Sequence, residues 1–440
     1  MLRRLGARAL RLFDGLFLGM EPRIVGLVLL TGFACGIVGA LYLLVIHLLQ
    51  HVLWPTRWSG AIGFAILGGV GLIVGLVVKF VGTPGDVELM VDNIHVSGSA
   101  TGVHMLRSLI PTSWLCIASG GAMGPEAPLV QTTGTLASWT AQRAGLVLRE
   151  SRVLTIAGMA AGFTVLFGAP LGSAVFALEM LHRRGMQYYE ALLPAILGSL
   201  AGYSVYVVAT GAGLAPVWHL PSPAAIHIGD LGWAVVAGVG GALVAVAFTY
   251  LSTALRWGAR RLPPEVRPLI GGLLLAALGV ASAYSLTFGE AQIGEIITKH
   301  GGTVAFFALA ALAKLAGTSV TLSSEWRGGF IIPLFFMGAC LARAFHGLVP
   351  DTNEAVLIAA FMAAANTGVT KTPLGSTLVV SEMAGFRLLP TTLLATMVTL
   401  VLTSEIGLIH TQRERDTVGG ESSHHDQQAP EQGPPQPHRE

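Results

Sequence analysis

Charge is the scarcest thing in this chain. Asp, Glu, Lys and Arg make up 11% of its 440 residues while apolar residues make up 53%, and the mean hydropathy is +0.68. Soluble domains carry roughly 25% charged residues, so a water-exposed surface of ordinary composition cannot be built and a soluble class is excluded. The chain reads as an integral, multi-pass protein of the cell membrane. Basic and acidic residues nearly balance, 26 against 24, which gives no ground for a nucleic-acid partner. Cysteine is also rare. Cys35, Cys116 and Cys340 stand apart in apolar segments, which suits small packing residues rather than a disulfide or metal cluster. Neither a Gly-x-Ser-x-Gly elbow nor a His-Glu-x-x-His helix occurs, which removes the serine and zinc signatures of a membrane-embedded hydrolase. No enzyme activity, cofactor or metal site is expected.

Long hydrophobic runs are present, and they are uneven. Ile24 to Leu49, Ala61 to Val81, Leu231 to Leu255 and Leu388 to Ile409 are each long enough for a hydrocarbon core of about 30 Å, which takes about 20 helical residues. Leu109 to Ala118, Val153 to Ala161, Leu171 to Leu181, Phe330 to Leu341 and Ala355 to Ala365 are shorter and punctuated by Gly, Pro or polar residues. Half-length helices are tolerated in a bilayer where the broken backbone is buried in protein or lines a cavity. The pattern points to a transporter or channel rather than an anchor.

The chain also repeats itself. At one constant offset, Met159-Ala160-Ala161 matches Met362-Ala363-Ala364, Pro170-Leu171-Gly172-Ser173 matches Pro373-Leu374-Gly375-Ser376, and Glu179-Met180 matches Glu382-Met383. Slightly out of that register, Gly124-Pro125-Glu126-Ala127-Pro128 lines up with Gly329-Phe330-Ile331-Ile332-Pro333, each a Gly-x-x-x-Pro that opens an apolar segment. Interrupted helices in corresponding positions of two repeats point to a binding site between them.

A helix N-terminus offers unpaired N–H groups and the positive end of the dipole, which suits an anion. Gly admits close backbone approach, and Pro is at home in a first turn. Two such openings would hold a small anion without a full Lys or Arg charge, and weakly enough to release it. Glu126 stands at the first opening. A carboxylate at membrane depth is costly unless an ion path needs it, and this one is itself an anion that competes for the same donors. Its protonation would free them, giving a gate sensitive to pH and voltage. The plainer role of complementing a helix end goes to Glu179 and Glu382, which recur in both repeats.

These residues resemble a known family. Gly124-x-Glu126-x-Pro128-x-Val130-Gln131 is similar to the Gly-Lys/Arg-Glu-Gly-Pro-x-Val-Gln motif of CLC chloride channels and chloride/proton antiporters, and Gly328-Gly329-Phe330-Ile331-Ile332-Pro333 resembles their Gly-Gly-x-Phe-x-Pro. Ala169-Pro170-Leu171-Gly172 and Ser381-Glu382-Met383-Ala384-Gly385 resemble the helices that follow, so the likeness runs from about Val81 to Gly385 with its motifs in order. It implies an all-α polytopic membrane fold of two inverted-topology repeats with many broken, tilted helices, and a homodimer with a pore in each subunit. Chloride would be the transported ligand and Glu126 the gate. Backbone N–H groups of Phe330 and Ile331 would bind the anion, with Gly124, Pro128, Gly329 and Pro333 shaping the two openings. Chloride conduction is the expected function. Chloride/proton exchange on the same fold is the alternative, and a cation-coupled carrier of an organic solute is the alternative outside it.

The likeness has gaps. The hydroxyl of the family's Gly-Ser-Gly-Ile-Pro motif has its nearest counterpart in Thr83, within Gly82-Thr83-Pro84-Gly85, whose O–H is a comparable donor. Ile331 replaces the usual Phe. The inner Tyr has no match, and His410 is the closest polar residue. The Glu that passes protons in antiporters has its slot at Met180, beside Glu179, and a thioether carries no proton. Asp86, Glu88, Asp92 and His95 are read as a solvated connector rather than a metal site, and Lys314 as a buried or snorkelling Lys with no transport role.

Residues 1–22, with Arg3, Arg4, Arg8 and Arg11 among Leu and Phe, are expected to lie as an amphipathic helix on the cytoplasmic lipid surface. Residues 23–225 and 226–411 would be the two transmembrane repeats, and 412–440 a disordered polar tail.

Overall fold

The computed structural model describes residues 21–54, 59–184, 186–211, 217–220, 226–299 and 301–414. The expected amphipathic helix, apart from its last residues, and the tail beyond Glu414 lie outside the described residues. The start of that tail is attached: Gln412 is buried and donates to the carbonyls of Met180 (2.9 Å) and Thr370 (2.8 Å).

The first repeat runs through α1 (Pro22–Leu53), α2 (Gly60–Phe80), α3 (Val87–Ser97), α4 (Leu106–Ala118), α5 (Glu126–Arg143), α6 (Leu148–Phe167), α7 (Pro170–Glu179) and α8 (Leu192–Thr210). The second contains α9 (Ile228–Ala259), α10 (Arg267–Ala281), α11 (Glu290–Thr298), α12 (Val304–Ser323), α13 (Ile331–Leu348), α14 (Glu354–Thr370), α15 (Pro373–Ala384) and α16 (Leu389–Leu402). A short parallel pair, β1 (His182–Arg184) with β2 (Arg413–Glu414), ties the end of the second repeat to the first.

Helices dominate because a lipid-facing backbone must satisfy its own hydrogen bonds. Seven of the described helices are long and apolar enough to cross a membrane. α1 and α9 have 32 residues each, about 48 Å at about 1.5 Å per residue; this exceeds a bilayer core of about 30 Å and calls for tilt. Their outward faces keep large apolar side chains exposed, such as Leu30 and Leu243.

Four segments depart from their expected lengths. Phe330 to Leu341, expected to be short, opens the 18-residue α13, which is long and apolar enough to cross a membrane. Val153 to Ala161 is the middle, and Ala355 to Ala365 the first part, of a longer helix, α6 with 20 residues and α14 with 17. Both are buried along most of their length, so neighbouring protein, not lipid, faces their Gly and Thr residues. Leu388 to Ile409 is not one span. α16 ends after Leu402, the chain turns through Thr403 to Gly407, and Leu408 and Ile409 return to the interior. The physical reason is a grip on the turn: the Lys371 ammonium donates to the Thr403 carbonyl (2.6 Å) and hydroxyl (2.9 Å) and to the Gly368 carbonyl (2.6 Å). It thereby answers carbonyls at the C-termini of both α14 and α16. Lys371 holds a left-handed backbone, φ +63°, as does its repeat counterpart Gly168, φ +64°. A side chain there costs about 1–2 kcal/mol, which the ammonium contacts must offset.

The repeats interlock through α7 and α15. Glu179, at the end of α7, accepts from Leu374 N–H (3.2 Å) and Gly375 N–H (2.7 Å) at the start of α15. Glu382, near the end of α15, accepts from Leu171 N–H (3.2 Å) and Gly172 N–H (2.7 Å) at the start of α7. Each carboxylate caps the other repeat's helix N-terminus. The helices pass close enough that a Cβ on Gly375 would lie 2.6 Å from Phe176 Cα.

Candidate functional site

The two Gly-x-x-x-Pro openings meet. Gly124 N–H donates to the Gly329 carbonyl (2.8 Å) and Gly329 N–H to the Gly124 carbonyl (2.6 Å), a two-bond antiparallel bridge. From it α5 and α13 depart, with Pro128 and Pro333 in their first turns, where the missing N–H is not needed.

Glu126 is the first residue of α5 and 1% exposed. Its Oε1 accepts from Ile332 N–H of the opposite opening at 2.6 Å, and its Oε2 is buried without a hydrogen-bond partner. The carboxylate thus spans from one repeat to the helix N-terminus of the other. Both bridging glycines are required for it to fit: a Cβ on Gly124 would collide with Glu126 Oε2, and one on Gly329 would lie 2.6 Å from the same atom. Helix geometry leaves the N–H groups at the head of α13 without intrahelical acceptors, and the carboxylate takes one of them.

A narrow cavity adjoins this point, and Glu126, Phe330, Ile331, Met180, Thr370 and Ile409 are among its lining residues. Most of the wall is apolar; Glu126 is its one formally charged side chain. A second cavity shares Val87, Ala127, Phe330 and Ile409 with the first. Its wall is also largely apolar but carries Asp86, Glu88, Gln131, Arg256 and Arg327. Glu88 and Arg256 face each other there at 3.8 Å. The arrangement can hold an ion in a charged antechamber and pass it to a chamber where backbone N–H groups are the available donors; the Thr370 hydroxyl in its wall is already engaged with the Asn366 carbonyl (2.9 Å) and the Thr372 hydroxyl (2.7 Å).

Glu126, Phe330, Ile331, Gly124, Pro128, Gly329 and Pro333 therefore gather at one place. Thr83 and His410 do not join them. Thr83 is exposed in the connection before α3 and lines neither cavity. The residue at the head of α3 is Asp86, whose carboxylate caps the helix by accepting from Leu89 N–H (2.9 Å). His410 is exposed and lines a separate polar pocket with Arg183 and Tyr250, while its neighbour Ile409 reaches the Glu126 cavity. Met180 lines that cavity, whereas Glu179 caps α15.

The stretch read as a solvated connector is α3 with its Asp86 cap, and His95 in it is buried. Both imidazole nitrogens of His95 are engaged, with the Tyr188 hydroxyl (2.7 Å) and the Leu181 carbonyl (2.8 Å). Lys314 is buried and donates to the Leu286 and Thr287 carbonyls and to Gln292 Oε1, at 2.7 to 2.8 Å. It has no contact with the site. Sequence reasoning passed over Ile332 as the partner of Glu126, Lys371 and His182. The signals were present: Ile332 lies inside the second opening, Lys371 interrupts an apolar run before Pro373, and His182 follows Met180 by two residues.

Residues 70–404 match the family model described as voltage gated chloride channel. The chain is 27% identical over 427 residues to a chloride/fluoride channel protein of Pseudomonas syringae pv. tomato, covering 93% of this chain and 90% of that one. Among solved structures it is similar to a CLC-type fluoride/proton antiporter, with TM-score 0.77, 22% identity and coverage of 89% of this chain and 98% of that one. It is also similar to a slow cyanobacterial Cl−/H+ antiporter, with TM-score 0.76, 20% identity and coverage of 88% and 95%.

Proposed function

The chain belongs to the voltage-gated chloride channel family, and on that premise we propose that it carries chloride or a similar small anion past Glu126, which acts as the gate. The observation that supports this reading is the hydrogen bond from Ile332 N–H to Glu126 Oε1. The carboxylate is a built-in anion seated on a donor that a passing anion needs. Ionised, it keeps the head of α13 occupied. Protonated, it becomes a poorer acceptor and a donor in its own right, so it leaves and the N–H groups of Phe330, Ile331 and Ile332 turn to the anion. These are dipoles rather than full charges, which suits a site that must release what it binds.

The route leaves two couplings. With Met180 where family antiporters carry a proton-passing Glu, conduction without protons follows if no other group serves. Exchange for protons follows if one does. A homodimer with one such route per subunit is part of the proposal.

The test is chloride flux from chloride-loaded proteoliposomes across a range of pH. Wild-type flux is expected to rise as pH falls and the gate protonates, while Glu126→Gln, which holds the neutral shape, flattens the profile. A Glu126→Gln profile identical to wild type removes Glu126 from the gating role. No anion flux from correctly inserted wild-type protein overturns the transport reading itself.

A further inference from the structure

One polar pocket stands outside the anion route and yet touches its wall. Tyr250 and Thr253 of α9 form one side of it, Arg183 of β1 another, and the chain from Glu405 to Gln412 the third. That segment is pinned from several directions. Lys371 holds Thr403 just before it, the Thr411 hydroxyl donates to the Glu88 carbonyl (2.9 Å), and Gln412 donates to the Met180 and Thr370 carbonyls. Its Ile409 lines this pocket and both cavities of the anion route, so one side chain is a wall to all three. Gln412 also lines the pocket, and the two residues it holds line the Glu126 cavity.

The chemistry of the pocket suits an anion larger than a halide. Arg183 Nε donates to the Ser404 carbonyl (3.1 Å), which fixes the guanidinium in the wall with its two terminal nitrogens outside that bond. A planar fork of N–H groups matches a phosphate, and the exposed His410 at the rim is a further donor. Glu405 is the one carboxylate in the wall, so a group of single negative charge is favoured over a dianion.

The setting decides where such a group comes from. About two turns beyond Tyr250, α9 carries Trp257 with Arg261 over its ring at 3.6 Å, and Arg256 and Arg260 beside them. Indole and basic side chains together mark a membrane boundary, and the basic one is cytoplasmic. Tyr250 is more than half exposed, as are Val401 and Leu402 at the end of α16, which packs on α9. A phosphate-matching fork with open apolar surface beside it at this boundary fits a phospholipid, headgroup in the pocket and chains along the helices; a free phosphate ion has no use for that surface.

We propose that the pocket between α9 and the Glu405–Gln412 segment binds the phosphodiester headgroup of an anionic phospholipid of the cytoplasmic leaflet, with Arg183 as its main ligand and His410 at the rim. The pocket is formed in the conformation in which Glu126 is seated on Ile332 N–H, so an occupied pocket favours that conformation through Ile409 and Gln412, and the lipid restrains the route. Binding stands independently of the anion-route reading above; the restraint rests on it.

The test is native mass spectrometry of the full chain in detergent, titrated with phosphatidylglycerol, with phosphatidylcholine, whose phosphate carries its own counter-cation, and with inorganic phosphate. One phosphatidylglycerol is expected to bind about tenfold or more tightly than phosphatidylcholine, the scale of a charge-assisted hydrogen bond, and inorganic phosphate should not displace it. Arg183→Gln and His410→Glu should each abolish the preference. Arg183 also braces Ser404, so the exposed His410 supplies the variant that leaves the fold alone. A preference retained in both variants, or none in wild type, overturns the site, and displacement by inorganic phosphate overturns the lipid as its occupant. Chloride flux from phosphatidylcholine liposomes, with and without phosphatidylglycerol, reads the restraint: it should fall severalfold with the anionic lipid in wild type and stay level in His410→Glu. Lipid bound without a fall in flux overturns the restraint and leaves the anion route standing, whereas lipid bound with no flux in either liposome fails the anion route and leaves the site.

Discussion

At Gly329 the absence of one methyl group decides whether Glu126 can close the route. The Cβ of Gly329→Ala would stand 2.6 Å from Glu126 Oε2, so the carboxylate is displaced from Ile332 N–H. Gly329→Ala is expected to mimic Glu126→Gln, with flux that no longer follows pH, checked in the same liposome assay. Thr83 gives the opposite expectation: exposed and outside both cavities, its replacement by Val should leave the ratio of chloride to nitrate flux unchanged, and a shifted ratio would return it to the site. Lys371→Met removes three hydrogen bonds to an ammonium and should cost about 2–4 kcal/mol by analogy with other charged buried hydrogen bonds, read as a lower unfolding temperature in detergent. The burial of Glu126 where the two openings meet was legible in the sequence because an ionisable residue heading an apolar run matches the second opening. Thr83 stands apart from the cavities because a hydroxyl near a motif says nothing about where the turn points. Lys371 was overlooked because its acceptors, the ends of two helices, become neighbours only after folding.

Among the elements, α7 and α15 were visible as repeats through Pro170-Leu171-Gly172-Ser173 and Pro373-Leu374-Gly375-Ser376, and Glu179 and Glu382 could be assigned to helix ends. Their exchange of partners was not visible, because each carboxylate caps the helix of the other repeat. Glu179→Ala and Glu382→Ala should each destabilise the protein by about 1–2 kcal/mol, the usual cost of a lost N-terminal cap, while chloride-to-nitrate selectivity stays as in wild type. Thermal unfolding beside the flux assay separates the two effects, and a changed selectivity would mean that the carboxylates act on the anion. The length of α16 was the other misreading. Hydropathy carries across Thr403 to Ile409, but a lysine that grips the turn ends the helix, and Ile409 rather than His410 is delivered to the cavity.

For the molecule as a whole, composition alone was enough to read a multi-pass helical membrane protein, since so few charges leave no other solvent for its surface. Leu30, Phe80, Leu243 and Leu309, more than half exposed, require lipid or detergent. The protein is therefore expected to stay with the membrane pellet through alkaline carbonate and to appear in the supernatant only with detergent; release by carbonate would contradict the embedded fold. The meeting of the repeats was legible only as matched openings, because proximity across half a chain is a product of folding. That meeting has a consequence of its own. The Gly124–Gly329 bridge and the exchanged Glu179 and Glu382 caps are self-complementary contacts, of the kind that two copies of one half-length chain make across a two-fold axis. At these three contacts neither half is distinguished from the other. Directional behaviour must come from the places where the halves differ, among them Glu126 against Ile331 and Gly168 against Lys371.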